Sequence, residues 1–227
     1  MQSNPFEDSR WINYSEKVVR ALLAGDEAEV SSLLLYCKSL EACLKRYLLE
    51  GKIPRVLDIG GGIGQLAAFF SGLNVQWFIV DGQQNCLTGR TIFSSYPNIQ
   101  FSESLELAYS HNFDVIVLSG AMQYIEAWAE TVGKVAGLKA SYIFLGKVPI
   151  GASTATNSIQ DIIISDSPES LGEIRRWLFS KNALVSEIEK YGFELIDDSF
   201  IRKSHPRGID PSVIPNGVDI RSLLFRR

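Results

Sequence analysis

The stretch that decides the fold runs from residue 54 to residue 68 and reads Pro-Arg-Val-Leu-Asp-Ile-Gly-Gly-Gly-Ile-Gly-Gln-Leu-Ala-Ala. Its order predicts a short apolar strand that carries Asp58, then a glycine-rich turn, then the start of a helix. Gly60, Gly62 and Gly64 permit positive φ angles and a close approach of the backbone to a ligand. The free N–H groups at the start of the helix favour an anionic or strongly dipolar ligand.

A second apolar run, residues 77–80, ends in another acid, Asp81. A carboxylate at the end of the second strand of such a unit is placed to accept hydrogen bonds from both hydroxyls of a ribose. The two acids and the glycine-rich turn together predict a nucleoside-containing cofactor.

Short apolar runs alternate with helical patterns from residue 55 to residue 145. Continuous apolar strands separated by helices predict a parallel sheet that is covered on both faces. Two further strands have no helix between them, so they should pair antiparallel. The expected fold is α/β, a Rossmann-like, seven-stranded, mostly parallel sheet with a C-terminal antiparallel hairpin and helices on both faces. The predicted strands span residues 56–59, 77–81, 99–101, 113–118, 142–145, 193–200 and 220–225.

Two segments lie outside this alternating pattern. Residues 1–50 are predicted as an N-terminal helical cap in which residues 1–14 are irregular, Ser15 caps a helix that Gly25 ends, and a second helix spans 27–50. Residues 148–179 are polar with few periodic signals, and we expect a long loop that serves as a substrate lid. We expect residues 51–227 to form the cofactor-binding domain.

Composition excludes several classes of protein. The 227 residues are 46% hydrophobic and 21% charged with a net charge of −4, which is typical of one globular domain without affinity for nucleic acid. The three cysteines show no CxxC or Cys/His spacing, so neither a disulfide framework nor a metal site is expected. No apolar run approaches 18 residues, so we expect no signal peptide, no membrane span and a cytoplasmic location.

The motif at residues 56–64 and the order of elements after it resemble class I S-adenosylmethionine-dependent methyltransferases. A closer resemblance is to a family of bacterial methyltransferases associated with surface-polysaccharide biosynthesis. It is carried by residues 57–61 and by Leu-Ser-Gly-Ala-Met-Gln-Tyr-Ile at 118–125, and less specifically by residues 159–160 and 177–179. The chain departs from that family's pattern at residues 146–149 and 175–176, where substrate should bind.

The resemblance implies that the cofactor is S-adenosyl-L-methionine. It assigns Asp58 to the methionine amino group, Asp81 to the ribose, and Phe101 with Ser102 to the adenine. Each of these residues also has a purely structural reading, as a turn acid or a packed side chain. The complete predicted cofactor-binding set is Asp58, Gly60, Gly61, Gly62, Gly64, Asp81, Gly82, Phe101, Ser102, Ser119 and Gly120.

Methyl transfer to a hydroxyl requires positioning of the reactants and removal of a proton. By position, His205 in the predicted hairpin loop is the best base, with Tyr124 as a second catalytic candidate, whereas His111 lies at the opposite edge of the sheet. Two adjacent arginines beside an indole suit a phosphate and a ring, as in a nucleotide-linked sugar. The predicted substrate-binding residues are Gln123, Tyr124, Lys147, Arg175, Arg176 and Trp177.

The main hypothesis is methyl transfer from S-adenosylmethionine to a small polar acceptor, a sugar or nucleotide-sugar hydroxyl. Two alternatives stay open. Gly62-x-Gly64-x-x-Ala67 with Asp81 loosely fits an NAD(P)-dependent oxidoreductase, although Asp58 stands where dinucleotide folds carry an apolar residue. A non-catalytic member that binds cofactor or a partner protein is the other, and the oligomeric state is left open.

Overall fold

The computed structural model describes residues 4–151, 156–163, 170–204 and 217–227. In these ranges a seven-stranded sheet is flanked by helices, and a separate two-stranded sheet stands beside it. The helices are Ser9–Leu23 (α1), Glu27–Leu49 (α2), Gln65–Phe69 (α3), Gln83–Ile92 (α4), Trp128–Ala136 (α5) and Lys181–Glu189 (α6). The strands are Arg55–Ile59 (β1), Gln76–Val80 (β2), Ile99–Ser102 (β3), Val115–Ser119 (β4), Tyr142–Ile150 (β5), Thr156–Ile163 (β6), Ser170–Leu178 (β7), Glu194–Ser204 (β8) and Val218–Arg226 (β9). Short 3₁₀ turns lie at Pro5–Glu7, Glu106–Ser110 and Met122–Tyr124.

The large sheet has the strand order β3-β2-β1-β4-β5-β9-β8. The first five strands in this order pair parallel, and β9 pairs antiparallel with both β5 and β8. This arrangement confirms the expected mostly parallel sheet with an antiparallel C-terminal hairpin. The reversed strand β9 lies one place inside the edge, because β8 occupies the edge itself.

Both faces of the sheet are buried, as the continuous apolar strands predict. Alternate residues of β4 enter opposite cores: Val115 and Val117 pack on one face, and Ile116 and Leu118 pack on the other. The first core includes residues of α1, α2 and α3, and the second includes residues of α5 and α6. The parallel pairing of β1 to β5 places the carboxyl ends of these strands at one edge of the sheet.

The N-terminal helix begins earlier than the sequence suggests. Asp8 caps α1, because its side chain accepts a hydrogen bond from the backbone N–H of Arg10, and Ser15 is buried inside the helix. The prediction of irregular structure through residue 14 is therefore wrong for the described residues from Ser9 onward. The prediction for α2 is confirmed, including the stop at Gly51, whose φ is +73°.

The predicted loop at 148–179 is largely β structure. Strand β5 continues to Ile150, and β6 pairs antiparallel with β7 to form a hairpin. The residues of β7 that are less than a tenth exposed are Leu171, Arg176 and Leu178. A buried arginine interrupts the apolar alternation that is typical of a strand, and for this reason the sequence pattern predicts a loop.

Gly64 precedes α3 with a φ of +100°, a conformation that disfavours any side chain. A Cβ atom there would lie 2.8 Å from Cε2 of Phe93 and 3.2 Å from Cζ of Phe101. We expect Gly64→Ala to lower the free energy of unfolding by about 2 kcal/mol through strain and overpacking, as measured by urea denaturation. Gly72→Ala is the control, because a Cβ there meets no atom within 4 Å. Equal effects of both changes would contradict the packing argument.

Candidate functional site

Asp58 is the most unusual residue at the carboxyl edge of the sheet. Its side chain is 1% exposed, and neither carboxylate oxygen has a hydrogen-bond partner within the described chain. Burial, followed by the nearby negative charge of Asp81, raises the pKa of Asp58 to about 8. A buried carboxyl group without a donor is expensive, so this position suits a ligand that brings a donor or a positive charge.

Asp81 connects the glycine-rich turn to the start of α4 through hydrogen bonds. Oδ2 of Asp81 accepts a hydrogen bond from the Gly62 N–H at 2.7 Å, and Oδ1 accepts from the Gly82 N–H at 2.7 Å and from Nδ2 of Asn85 at 2.7 Å. A carboxylate has about four acceptor positions, so Oδ2 keeps capacity for one more donor. The acid therefore shapes the turn before any ligand binds.

Two glycines of the glycine-rich turn bring the backbone close to its neighbours, whereas Gly120, which follows β4, borders open space. A Cβ atom at Gly61 would lie 2.6 Å from Oδ2 of Asp58, and one at Gly60 would lie 2.5 Å from Cβ of Ala121. A Cβ atom at Gly120, whose φ is +69°, would meet nothing within 4 Å. The turn thus lies directly on Asp58, and the space beside Gly120 is available to a ligand.

The structure places the two predicted adenine residues in local contacts. The ring of Phe101 packs against Gly89 and Gly64 on the face of the first core. Oγ of Ser102 donates to the backbone oxygen of Ser104 at 2.9 Å and accepts from its N–H at 3.1 Å. The Phe101 ring therefore packs against the first core. Contact of Phe101 and Ser102 with adenine stays a prediction.

Helix α2 contributes residues to this edge that the sequence reasoning did not single out. Tyr36 is buried against Ser119 at the end of β4, and burial raises the pKa of Tyr36 well above its usual range. Nζ of Lys147 lies 4.2 Å from the centre of the Tyr36 ring, a cation–π contact. Lys147 is exposed and lies at the irregularity of β5 between Leu145 and Val148. Partial desolvation by the surrounding protein lowers the pKa of the Lys147 ammonium group. A tyrosine within an apolar helical stripe carries no signal in sequence that distinguishes it from core.

The N-terminal segment and the β6–β7 hairpin meet above the strand ends. The ring of Phe6 lies 5.0 Å from the ring of Tyr124 and packs with Ile162 and Leu171 of the hairpin. Nδ2 of Asn85 donates to the backbone oxygen of Phe6 at 3.3 Å, and Glu7 contacts Gly82. We call the segment Asn4–Tyr14 together with β6 and β7 the roof.

A polar network connects β6 and β7 of the roof to Tyr124. Oε1 of Gln160 accepts a hydrogen bond from the Tyr124 hydroxyl at 3.0 Å and from Nη1 of Arg176 at 2.8 Å. Nε of Arg176 donates to Oγ of Ser158 at 3.3 Å. Two predicted substrate residues are thus brought together by Gln160.

The other predicted substrate residues occupy separate positions. Arg175 is exposed, because successive residues of β7 face opposite sides, so the expected pair of adjacent guanidinium groups does not form. Nε1 of Trp177 donates to the backbone oxygen of Glu126 at 3.2 Å. Nε2 of Gln123 donates to the backbone oxygen of Gly120 at 3.0 Å, and its buried Oε1 has no partner in the described chain.

The structure describes one of the two histidines, His111. His205, the predicted base, lies outside the described residues. His111 packs against the rings of Phe78 and Phe113 near the amino ends of the strands, far from the glycine-rich turn in the fold. All three cysteines are buried free thiols. Across residues 4–151, 156–163, 170–204 and 217–227, no group of three or more His, Cys, Asp or Glu side chains is arranged to hold a metal ion. Of the helices within those ranges, none has the length and apolar character needed to cross a membrane.

Several solved structures share this fold. The N-terminal domain of EvdMO1, studied in the presence of SAH and D-fucose, has a TM-score of 0.55 at 14% identity over 80% of this chain and 79% of that chain. The 1,6-didemethyltoxoflavin N1-methyltransferase of Burkholderia thailandensis, with 1,6-didemethyltoxoflavin and S-adenosylhomocysteine bound, has a TM-score of 0.58 at 14% identity over 99% and 91%. Magnesium protoporphyrin IX methyltransferase of Synechocystis PCC 6803, with SAM bound, has a TM-score of 0.55 at 12% identity over 84% and 78%. No family model matches the chain, and no curated protein matches it.

These similarities define the class of fold. The sheet order, with β9 reversed beside β5, and the flanking helices are those of the class I S-adenosylmethionine-dependent methyltransferase fold. At identities of 12–14%, these similarities show a shared fold and do not show a shared reaction.

Proposed function

We propose that this protein transfers a methyl group from S-adenosyl-L-methionine to a small polar acceptor. The observation that carries the proposal is Asp58, a buried carboxyl group without a partner in the described chain, beneath a glycine-rich turn at the carboxyl end of β1. Ligands of open α/β sheets bind at this edge. Structural neighbours of this chain with SAM or SAH bound support the choice of cofactor.

The residues of the site fit that cofactor. In this proposal Asp58 accepts a hydrogen bond from the methionine amino group, directly or through water, and its orphaned oxygens gain a donor. Asp81 accepts from a ribose hydroxyl through the capacity that Oδ2 retains. Gly82 and Ser102 lie beside the nucleoside, and the open space at Gly120 takes the methionine portion, next to Ser119. The cofactor supplies a methyl group on an electrophilic sulfonium.

The chain's own task is then to position the acceptor and to accept its proton. Burial raises the pKa of Tyr124 above its usual value, so its phenol stays protonated and orients groups by hydrogen bonding instead of removing a proton. His205 remains the proposed base. The polar groups between the roof and the sheet edge, Gln123 and the Tyr124–Gln160 pair, suit a hydroxylated acceptor.

We propose a sugar or nucleotide-sugar hydroxyl as the acceptor, and a role in polysaccharide biosynthesis. Support comes from the resemblance to the polysaccharide-associated family and from a neighbour that was studied with D-fucose present. The roof, which includes the hairpin at the predicted lid, would enclose the acceptor.

Isothermal titration calorimetry with S-adenosylhomocysteine, with NAD run in parallel, tests the proposal. We expect binding of S-adenosylhomocysteine in the micromolar range and no heat with NAD, because Asp58 needs a cationic or donor partner that the methionine amino group provides. Binding of NAD alone would support the oxidoreductase alternative. Binding of neither ligand would favour the non-catalytic alternative, and a methyl-transfer assay with nucleotide-sugars follows a positive result.

A further inference from the structure

Arg176 is a buried cation without a negative partner in the described chain. Arg176 is 9% exposed, and it donates hydrogen bonds to two neutral groups, Oε1 of Gln160 and Oγ of Ser158. No carboxylate forms an ion pair with it within the described ranges, where Tyr124 is the one titratable group that interacts with it electrostatically. Arg221, by contrast, pairs with Asp198 at 3.1 Å.

The burial of such a charge is unfavourable unless an anion compensates it. A guanidinium group stays protonated in proteins, so Arg176 cannot escape the cost by losing its proton. Neutral hydrogen-bond partners satisfy individual N–H groups but leave the net positive charge in a medium of low dielectric constant. A well-packed strand would accept an apolar residue here at lower cost, so the arginine calls for an anion.

The position of Arg176 suggests where that anion comes from. It lies on the face of β7 that is turned toward the Met122–Tyr124 turn, which follows the carboxyl end of β4. The Phe6 ring also packs on Tyr124, with 5.0 Å between the ring centres. The guanidinium thus lies on the side of the roof that faces the Met122–Tyr124 turn, at the sheet edge where the candidate site lies.

Gln160 arranges the donors of this network. Its Oε1 accepts from both Tyr124 and Arg176, which leaves its Nε2 amide hydrogens for another acceptor. Nη2 of Arg176 makes no hydrogen bond within the described chain. A guanidinium edge beside an amide donor is a geometry that binds the oxygens of a phosphate or a carboxylate.

We propose that Arg176 and Gln160 bind an anionic oxygen group, a phosphate or a carboxylate, of the acceptor. That this group belongs to the methyl acceptor rests on the proposed function, whereas the anion site itself does not depend on it. Tyr124 holds Gln160 in the required orientation and is a positioning residue. The acceptor class is thereby narrowed to acidic small molecules such as phosphorylated or carboxylated sugars.

Calorimetric titration of the intact protein with inorganic phosphate and with acetate tests the anion site. We expect saturable binding of one of the two anions, and the stronger one identifies the group as phosphate or carboxylate. Arg176→Met should weaken that binding at least tenfold, because the variant keeps a long side chain but removes the charge. Arg175→Met removes a charge from the exposed face of the same strand and should change the affinity less than twofold.

A second variant covers the case in which Arg176→Met does not fold. Gln160→Glu places a carboxylate beside Arg176, which supplies the missing charge from within. We expect this variant to abolish anion binding while its thermal unfolding temperature stays level or rises. Retained anion binding in Gln160→Glu, equal losses in the two arginine variants, or no saturable binding of either anion to the wild type would overturn the proposal.

Titration of the same proteins with S-adenosylhomocysteine separates this inference from the proposed function. Both arginine variants should bind S-adenosylhomocysteine as the wild type does. Anion binding without S-adenosylhomocysteine binding would refute the methyltransferase proposal and keep the anion site. The reverse result would refute the anion site alone.

Discussion

Asp58→Asn is expected to weaken S-adenosylhomocysteine binding by about 100-fold, which corresponds to about 2.7 kcal/mol. The variant keeps the shape of the side chain but cannot carry the negative charge that stabilises a ligand ammonium group. Calorimetry with S-adenosylhomocysteine measures the change. An affinity within threefold of the wild type would remove Asp58 from the proposed site.

The same variant should stabilise the ligand-free fold at alkaline pH. The folded-state pKa of Asp58 is about 8, and the unfolded value is about 3.9. The folded state therefore holds the proton more tightly, so this contribution to stability is complete below about pH 4 and is lost as the pH rises to about 8. The amide of the Asp58→Asn variant has no such proton to lose. Urea denaturation at pH 8.5 should favour the variant by on the order of 2–5 kcal/mol, with a smaller difference at pH 5.

Proton release provides a check that does not depend on affinity. Asp58 is mostly protonated at pH 7, and a bound ammonium group would favour its ionised form, so binding should release close to one proton. Calorimetry in HEPES and in Tris buffer, whose ionisation enthalpies differ and which carry neither a phosphate nor a carboxylate group, measures that number. Asp114→Asn is the matched control, because Asp114 accepts from the Arg55 N–H at 2.8 Å at the other end of β1. It should lower stability by about 1–2 kcal/mol without changing proton release.

Asp81→Ala is expected to abolish measurable binding of S-adenosylhomocysteine. The substitution removes the ribose acceptor and also leaves the N–H groups of Gly62 and Gly82 without their partner. Loss of the ribose contact alone should weaken binding by on the order of 1.5–3 kcal/mol, and disorder of the turn adds to it. The free energy of unfolding should fall by about 2–4 kcal/mol, as urea denaturation measures.

Asp81→Asn separates the two roles of this acid. Its single amide oxygen can replace one acceptor of the turn but not both, so stability should fall less than in Asp81→Ala while ligand binding stays weak. Unchanged ligand affinity in either variant would contradict the assigned ribose site. The negative charge of Asp81 also raises the pKa of Asp58, so Asp81→Asn should lower the pH at which the wild-type stability loss occurs.

The central sheet could be predicted because its signals are local. Each parallel strand is a continuous apolar run, and the glycine-rich turn after Asp58 marks a strand-to-helix connection that few other structures need. The antiparallel pairing of β8 and β9 followed from the missing helix between them. Strand lengths were predicted less well, since β5 continues to Ile150 through Gly146, Lys147 and Pro149, which interrupt the apolar run.

The site was harder to predict because it joins segments that are distant in sequence. Asp58 near the end of a strand and Asp81 directly after one are recognisable by position in the sequence. The burial of Asp58 and the hydrogen bonds of Asp81 depend on the whole fold. The hairpin that carries Arg176 reads as a loop since its buried face includes a charge. The packing of Phe6 on Tyr124 joins residues 118 positions apart and has no signal in composition or period.

The roof has a consequence for how such a chain diversifies. Asp58 lies in β1, the glycine-rich turn follows β1, and Asp81 follows β2. The side chains of the roof come from the N-terminal segment and from β6 and β7. Under the proposed function, recognition of the cofactor and choice of the acceptor are thus encoded in separate stretches of the sequence. We expect substitutions in β6 and β7 to change the acceptor while the proposed cofactor site is kept, so proteins of this architecture should differ most in sequence at residues 156–163 and 170–178.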